Sequence, residues 1–529
     1  MKKCIISLIL IILAGYSAST QDTIFQKTYG ISGMDLFADV QQTTDGGFIM
    51  AGTNTGFLLT DFSLIKTDPY GYVTWSRTFG DGDFTALFST FFVYDVQQTT
   101  DGGYIVTGEG ISTPLFGSGF DDIFLIKTDA FGVVQWNKKY GGSDSDCGMA
   151  LKQTSDGGYI VTGCTYSFSS KDSANVFLMK VNSSGSVVWD RIYEISPVDD
   201  DIGVSVEEVS DGYIVGGRSE QVNGTDTLSD MLLLKTNLSG TFQWLKTIGN
   251  NNQDEEIFGI KKMITGSDLL VTGFTDQPSD IRNVLIMKIN PSTGAIISCT
   301  SYYTGWLSFD DEGHTIQETP DGGMAVFGMS FDLLGFLRSF MMKFDNTGTP
   351  ELSRHFSTDW GIGMNLFSCG QQTNEGEYII GNMVPSGIMG WSYGLIKTDE
   401  NGISGCNEGS FSPVEQSFTI TPVNESYSVL TNQFTAENFS LYENNVDVIP
   451  EVQCCSWVPD DAGAITGPTT VCQGDSWSYS VPSISTTGTT YVWEFPSGVS
   501  ISSGAGTNNV TLNFSATAVS GYVQVHGEN

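Results

Sequence analysis

Short apolar runs bounded by glycine-containing turns recur along most of the chain, and they set its strand pattern. The most regular run follows an Asp-Gly-Gly motif and has the apolar character of a β-strand. Counting intact and altered copies, the motif recurs every 55 residues or so. Its first residues are Asp45, Asp101, Asp156, Asp211, Gly266, Asp321 and Glu375. Seven copies of one repeat are therefore predicted.

A second motif, an apolar pair before a lysine, follows the first in every copy. A glycine usually comes next, and four copies then place a tryptophan. In the first copy these signals predict four strands, over residues 36–43, 47–52, 62–67 and 73–79, joined by turns in which glycine supplies positive φ. The seven lysines are Lys66, Lys127, Lys180, Lys235, Lys288, Lys343 and Lys397, and the four tryptophans are Trp75, Trp136, Trp189 and Trp244.

The two ends of the repeat array complement each other. The seventh copy has three strands and lacks the fourth, whereas residues 23–30 match the fourth strands at 75–80 and 136–141. We therefore predict an all-β fold in which residues 21–406 form a seven-bladed β-propeller closed by the N-terminal strand. A β-rich spacer over 407–463 and a β-sandwich over 464–529 follow it.

The N-terminal residues have the order of a secretory signal. Two lysines precede an apolar run and then small residues, which predicts a signal peptide over 1–20 with cleavage after Thr20. Later apolar runs are too short for a membrane-spanning helix. We expect a secreted protein, extracellular or on the outer cell surface, that is a monomer and does not insert into the membrane.

The chain carries 60 acidic against 23 basic residues, a net charge of −37. This balance argues against nucleic acid, whose phosphates attract Lys and Arg. Solubility is one reading of the acidity and a divalent cation the other, with Ca²⁺ as the candidate cofactor. Four aspartates ten residues before the first motif are candidates either for a metal site or for turn caps. They are Asp35, Asp146, Asp201 and Asp311.

Other recurring polar and aromatic positions favour structural roles. An Asp or Asn stands five residues before the repeat lysine in five copies, which indicates a hydrogen-bond or ion-pair device in each blade. The tryptophans are predicted to pack blades rather than to bind sugar. The five Asp or Asn residues are Asp61, Asp122, Asn175, Asp230 and Asn283.

The loop between the second and third strands varies in length from copy to copy, whereas the turns at the other end do not. Because binding surfaces use variable loops on a rigid scaffold, we expect a glycan or protein ligand on the variable face. Cys147 and Cys164 flank the third Asp-Gly-Gly turn and are a candidate disulfide, at facing or diagonal positions according to the register.

Catalytic motifs are weak. Residues 68–75 resemble the Asp-box of sialidase-type propellers but are one residue longer on each side of the glycine. The histidines, His314, His355 and His526, form no zinc spacing and no triad. A non-enzymatic adhesion or binding protein is the favoured function; a polysaccharide hydrolase or lyase and a structural envelope protein are the alternatives.

After residue 464 the sequence resembles the PKD-like β-sandwich module, through motifs such as Gly467-Pro468 and the alternating Tyr491, Trp493 and Phe495, which would face its core. Together with the repeats, this resembles surface propeller proteins of Bacteroidetes-type bacteria that use type IX secretion. The resemblance implies export and display. The module stops at Asn529, before the cysteine expected to pair with Cys472, so we expect it to be incomplete.

Overall fold

The computed structural model consists of β-strands throughout the residues that it describes. These are 24–30, 34–55, 59–81, 86–114, 121–169, 173–195, 199–223, 226–249, 253–276, 281–304, 308–332, 337–356, 368–386, 390–405, 408–416, shorter stretches within 421–528, and the strand Ile6–Ser7, which pairs with Thr470–Val471. The rest of the predicted signal peptide lies outside the described residues. The chain divides into two compact bodies, Ile24–Cys454 and Cys455–Asn529 with Met1–Thr23.

The larger body contains seven antiparallel units that follow the sequence repeat. Their strands, in chain order, are Met34–Gln42, Phe48–Thr55, Leu59–Thr67 and Val73–Asp81 in unit 1; Ala86–Gln98, Tyr104–Pro114, Asp122–Thr128 and Val134–Tyr140 in unit 2; Asp146–Gln153, Tyr159–Thr165, Asn175–Val181 and Val187–Glu194 in unit 3; and Asp201–Val209, Gly212–Asn223, Asp226–Asn237 and Phe242–Gly249 in unit 4. The pairing runs first to second to third to fourth strand in each.

Units 5 and 6 repeat this plan, and unit 7 borrows a strand. Their strands are Glu255–Lys262, Leu269–Asp276, Arg282–Asn290 and Ala295–Tyr303 in unit 5; Ser308–Glu318, Met324–Asp332, Leu337–Phe344 and Pro350–Phe356 in unit 6; and Cys369–Gln372, Tyr378–Ser386 and Gly390–Thr398 in unit 7. The N-terminal strand Phe25–Tyr29 pairs antiparallel with the third strand of unit 7, Phe25 opposite Lys397. It occupies the fourth-strand position that the sequence predicted for it.

Apolar side chains fill the spaces between consecutive units. Every residue of the strands Tyr159–Thr165 and Asn175–Val181 is buried, as expected for central strands covered on both faces. Six buried clusters each combine residues of two successive units, and a seventh, which includes Phe48 and Tyr393, combines unit 7 with unit 1. The first strands likewise contact one another in order, and that of unit 7 contacts that of unit 1.

One end of each unit, which we call the turn face, carries the turns between first and second strands and between third and fourth strands. There, each repeat lysine pairs with an acid of the first turn in its own unit, Glu377 in unit 7, with N···O distances of 2.5 to 3.2 Å. The Lys180 side chain is only 4% exposed, while its partner Asp156 is 64% exposed. The sequence displayed both motifs but not their pairing.

The tryptophans pack one unit on the next, as the sequence predicted. Trp75 Nε1 donates to the carbonyl of Ala130 in unit 2 (3.1 Å), and Trp136 Nε1 donates to Ser183 in unit 3 (3.1 Å). The receiving turn needs glycine for two reasons. Gly240 has φ of +73°, and a Cβ there would lie 2.6 Å from the Trp189 ring.

Residues after unit 7 add short strands to the larger body. These strands pair antiparallel with the fourth strands of units 6, 5, 4, 3 and 1 and with the N-terminal strand, while Glu437 forms an isolated bridge to Lys139 of unit 2. They are Glu408–Ser410, Val414–Gln416, Thr421–Asn424, Ser428–Thr431, Leu441–Asn445 and Glu451–Val452.

The core of the smaller body is formed by residues of two sheets. One contains Ser476–Ser480, Asn509–Phe514 and Val499–Ser503, and the other contains Thr490–Glu494 and Gln524–Glu528. Tyr491 and Trp493 are buried among the side chains of its core, with Phe495 packed against them, as the alternating aromatic pattern predicted. Trp493 Nε1 donates to the carbonyl of Thr507 (2.8 Å).

Candidate functional site

The variable face is the end of each unit opposite the turn face. The strand register places the start of the first strand, the end of the second and the start of the third in one row there: in unit 3, Asp146 lies opposite Thr165, and Thr165 lies opposite Asn175. We call this end, with the loops that join second to third strands and one unit to the next, the variable face.

The four candidate metal-binding aspartates lie on this face, one in each of units 1, 3, 4 and 6, and all are buried. Each accepts hydrogen bonds from its own unit or from the segment that enters it. Asp35 accepts from Asn54 Nδ2 (2.7 Å), Asp201 from Ser219 Oγ (2.5 Å), and Asp311 from the backbone N–H (2.6 Å) and hydroxyl (2.9 Å) of Thr304. These contacts are those of turn and strand caps.

Asp146 is held in the same way, by Gly142 N–H (2.9 Å) and Ser167 Oγ (2.6 Å). Burial is the main reason that its pKa is raised to about 6, with the charge of Asp122 adding to the effect. Among the described residues, no three His, Cys, Asp or Glu side chains come together in a group that could hold a metal ion. The structure thus keeps the four aspartates in separate units.

The Asp and Asn residues that stand five positions before the repeat lysine do not share one partner. Asp122 pairs with Lys139 (3.0 Å), and Asp230 accepts from Gln221 Nε2 (2.9 Å). Asn175 is fully buried, and neither polar atom of its side chain has a hydrogen-bond partner within the described chain. The recurring position therefore takes different contacts in different units.

Units 4, 5 and 6 carry a charged cluster on this face. The arginine–glutamate cluster consists of Arg218, Glu256, Arg282, Glu312 and His314. Arg218 Nη1 lies 3.3 Å from Glu256 of the next unit, and Arg282 donates to Glu312 of the unit after that. His314 Nε2 lies 3.4 Å from Glu312. The side chains of Glu256 and Glu312 are 8% and 6% exposed.

Aromatic rings line the same cluster. The Arg282 guanidinium lies over the Phe274 ring at 4.1 Å from its centroid, and His314 meets the Phe258 ring edge-on at 5.1 Å. His314 also bonds to the backbone of Ser368 in unit 7 through Nδ1 (3.0 Å to the carbonyl oxygen). The Phe274 ring is buried under the guanidinium, whereas the Arg282 side chain is 38% exposed, so the cluster presents hydrogen-bond donors and acceptors in one place.

The pKa values of the two cluster glutamates are shifted in opposite directions. Burial raises the pKa of Glu256, and the negative charge of Glu312 adds to this rise, while Arg218 and Arg282 oppose it. Burial would also raise the pKa of Glu312, but His314 and Arg282 outweigh it and hold that pKa below its usual value. Neighbouring carboxylates whose pKa values are pushed apart provide a protonated and an ionised oxygen at the same pH.

Further acids surround the cluster. Asp276 lies 3.7 Å from Arg282, and burial, with Asp254 and Asp310 nearby, raises its pKa to about 6. Burial raises the pKa of Glu220 as well, with Arg218 opposing the rise. The two arginines are therefore embedded in an acidic surface.

Deeper along the first strands lies a polar layer that links neighbouring units. The Asp39 carboxylate accepts from Val96 N–H (3.4 Å), and Asp95 accepts from Leu151 N–H (2.8 Å). Burial and the charge of Asp95 raise the pKa of Asp39 to about 8. In the same region Lys152 pairs with Glu207 of unit 4 (3.0 Å).

The cysteines add a crosslink at one point. Cys147 and Cys164 are direct register partners in the first hairpin of unit 3, with Cα atoms 5.2 Å apart, and form a disulfide. Burial raises the pKa of Cys369, and burial raises that of Cys299 to about 12. The positions 406, 454, 455 and 472 lie outside the described residues.

Sequence reasoning did not identify the arginine–glutamate cluster, because its residues come from different units and share no motif. A β-bulge contributes to this. In six units the pairing of first and second strands shifts at the same place, and His314 is the extra residue in unit 6. A signal was present in part: units 5 and 6 have Glu256 and Glu312 where unit 4 has Ile202.

Comparison with known proteins recognises a domain in the C-terminal residues of the chain. A family model described as a PKD-like domain matches residues 458–529, which agrees with the sequence resemblance and with the extent of the smaller body. No curated protein sequence matches the chain.

Among solved structures, the chain is similar to the full extracellular region of plexin A4, with 8% sequence identity and a TM-score of 0.43. The match covers 93% of this chain and 63% of the plexin chain. This likeness is too weak to assign a fold or a function. The described part of the chain contains no helix with the length and apolar character needed to cross a membrane.

Proposed function

We propose that the seven units close into a seven-bladed β-propeller whose variable face binds a glycan. Closure is supported by the buried cluster that combines units 7 and 1, and by the N-terminal strand on unit 7. A third support is a hydrogen bond from Asn374 N–H in unit 7 to Gln42 Oε1 in unit 1 (2.9 Å). Gln98 makes the same bond to Thr44 of the preceding unit, so the contact between units 7 and 1 repeats that between neighbours in the chain.

The protein is proposed to act outside the cell or on its surface. The PKD-like domain is of the extracellular type, and the first 20 residues have the charge and apolar order of a secretory signal. The acidic surface suits a soluble exported scaffold and disfavours nucleic acid as the ligand.

The arginine–glutamate cluster is the single observation that carries the binding proposal. Within the described residues it occurs in units 4 to 6, whereas the contacts of the turn face recur around the units. Sugars are bound through planar hydrogen-bond donors and acceptors, and Arg282 and Glu312 supply these together, with the guanidinium held over the buried Phe274 ring. A glycan with several hydroxyl groups matches this set.

A glycan array followed by calorimetry tests the proposal. We expect the full chain to bind one class of oligosaccharide, and the variant Arg282→Gln to weaken that binding at least tenfold. Arg77→Gln is the matched control, because Arg77 lies on the turn face, where its Nε donates to the Phe131 carbonyl (2.7 Å). Equal affinity of the Arg282 variant and the wild type would place the ligand elsewhere.

A second function, cleavage of a polysaccharide by a hydrolase or a lyase reaction, is favoured by the opposite pKa shifts of Glu256 and Glu312. In that case Glu256 would be the acid and Glu312 the ionised partner. Release of reducing sugar or unsaturated product by the wild type, lost in Glu256→Gln, would establish it. Binding without turnover leaves the chain as a binding protein.

A further inference from the structure

The residues that follow unit 7 run around the larger body in an unbroken order. Their strands contact the fourth strands of units 6, 5, 4, 3, 2 and 1 in turn, and the last one pairs with the N-terminal strand on unit 7. Each fourth strand has its third strand on one side only, so its other edge is where the added strand pairs. Every unit thus receives one contact from residues 408–452, which we call the belt.

Side chains hold the belt as well as backbone pairing. Phe434 is 4% exposed and lies between Phe168 and Phe177 of unit 3, at centroid distances of 5.2 and 5.1 Å. The backbone N–H groups of Gln433 and Phe434 donate to the buried carboxylate of Asp190 (3.0 and 3.3 Å). Phenylalanine insertion and paired N–H donors fix the belt at unit 3 more firmly than an exposed strand would be.

The belt also contacts its neighbours at units 6 and 2. Phe411 packs beside Phe340 and stacks on His355. At unit 2 the backbones of Glu437 and Lys139 exchange two hydrogen bonds (2.8 and 3.0 Å), and their side chains lie 3.8 Å apart. Anchors are therefore spread around the body.

The end of the belt meets the strand on which closure depends. Val452 lies opposite Lys27 and Glu451 opposite Thr28, while the other edge of this strand pairs with unit 7. This strand has five residues, and its partner lies far away in the chain: Lys27 and Leu395 are 368 positions apart. Closing so long a loop costs conformational entropy, and contacts between near neighbours in sequence offset little of that cost. Pairing on both edges removes it from the exposed edge.

We propose that the belt locks the propeller: it covers the outer edge of each unit and holds the closing N-terminal strand, so that the ring opens only when the belt is released. The occupant of these seven strand edges is the chain's own segment 408–452. This inference rests on the closed ring proposed above, and it assigns a structural role to residues that the sequence suggested were a spacer. Without the belt the free edges would associate with other chains.

Two double-proline variants of the full chain test the lock and serve as controls for each other. Glu451→Pro with Val452→Pro removes the N–H groups at the N-terminal strand, and Val429→Pro with Leu430→Pro removes those at unit 3. Hydrogen exchange is followed in residues 25–29 and 187–194. We expect the first variant to accelerate exchange at least tenfold in 25–29 and to leave 187–194 unchanged. We expect the second variant to accelerate exchange in 187–194 and to leave 25–29 unchanged.

Wild-type exchange in mild denaturant supplies a measurement that needs no variant. Residues 25–29 should lose protection together with 441–445 and 451–452 and before the first strands. Continued protection of 25–29 after the belt has exchanged would overturn the lock. If 25–29 are unprotected in the untreated wild type, the closed ring itself fails; if they stay protected in the first variant, the ring stands and the lock fails.

Discussion

At the turn face, the same residue types make the same contacts in unit after unit, whereas at the variable face each unit carries its own set. Lysine meets an acid in all seven units on the first face. On the second, arginine, glutamate and histidine side chains contact one another in units 4 to 6, while unit 3 has a disulfide at the corresponding position of its first strand. A contact that repeats serves the folding and packing of every unit, and a contact found in a few units is a candidate for function.

The difference also concerns how stability and function are divided. Contacts on the turn face join consecutive units where tryptophan rings pack against glycines, so a substitution there changes the packing. On the variable face the arginines of the charged pairs are about a third exposed, so we expect these pairs to contribute less to folding. Substitutions at the two faces are therefore expected to affect different measurements.

The largest effect is expected from pH, through the non-repeated polar layer of the first strands. The pKa of Asp39 is raised to about 8 in the folded protein from 3.8, so the folded state keeps a proton that the unfolded state has lost. Stability should fall as pH rises from about 4 to 8, on the order of 3–5 kcal/mol. Denaturant unfolding of the wild type and of Asp39→Asn measures this; equal slopes against pH would refute the assignment.

Next comes the packing of the turn face. Gly240→Ala combines a positive φ with a Cβ 2.6 Å from Trp189, and we expect a loss of about 2–4 kcal/mol in the free energy of unfolding. Gly348→Ala is the control, because its φ is +86° but nothing lies within 4 Å of the added Cβ. It should cost about 1 kcal/mol. Similar losses in both variants would mean that contact between units contributes nothing at this turn.

A smaller effect is expected from the repeat lysine. Lys180→Met removes a buried ammonium group that bonds to Asp156 (3.0 Å) and to the Val181 carbonyl (3.1 Å). The expected loss is about 1–2 kcal/mol. Lys288, whose side chain is 33% exposed, gives the comparison. Lys288→Met should cost about half as much or less, as read from thermal unfolding, and an equal cost would show that burial of the lysine is unimportant.

The smallest effect on stability is expected at the variable face. Arg218→Gln breaks the contacts with Glu256 and Glu220, yet the Arg218 side chain is 32% exposed. We expect a loss below about 1 kcal/mol, together with a marked loss of glycan binding. A variant that unfolds easily and still binds normally would reverse the roles assigned to the two faces.

The features predicted well from sequence are those that repeat. Four strands per unit, the N-terminal strand on unit 7 and the tryptophan packing follow from local patterns that recur at a fixed spacing. In unit 1 the predicted strand 62–67 lies within the observed Leu59–Thr67. The core aromatics Tyr491 and Trp493 of the smaller body follow from simple alternation.

The features that were missed depend on contacts between distant residues. Arg282 meets Glu312 across a unit boundary, and a bulge places His314 beside them, which a period of two cannot anticipate. The belt strands are three to five residues long where they pair with units 6, 5, 4, 3 and 1. Their partners there lie as much as 368 positions away, as Arg77 does from Asn445, and Lys27 lies 425 positions from Val452. Such short strands carry almost no pattern of their own.

A diffraction structure of the full chain is the most direct test of the central claim, that seven units close into one ring. The account predicts that residues 25–29 pair antiparallel with 393–397 and that Gln42 of unit 1 accepts a hydrogen bond from the Asn374 backbone of unit 7. A structure in which the first strands of units 1 and 7 are apart, or in which the N-terminal strand pairs elsewhere, would contradict it.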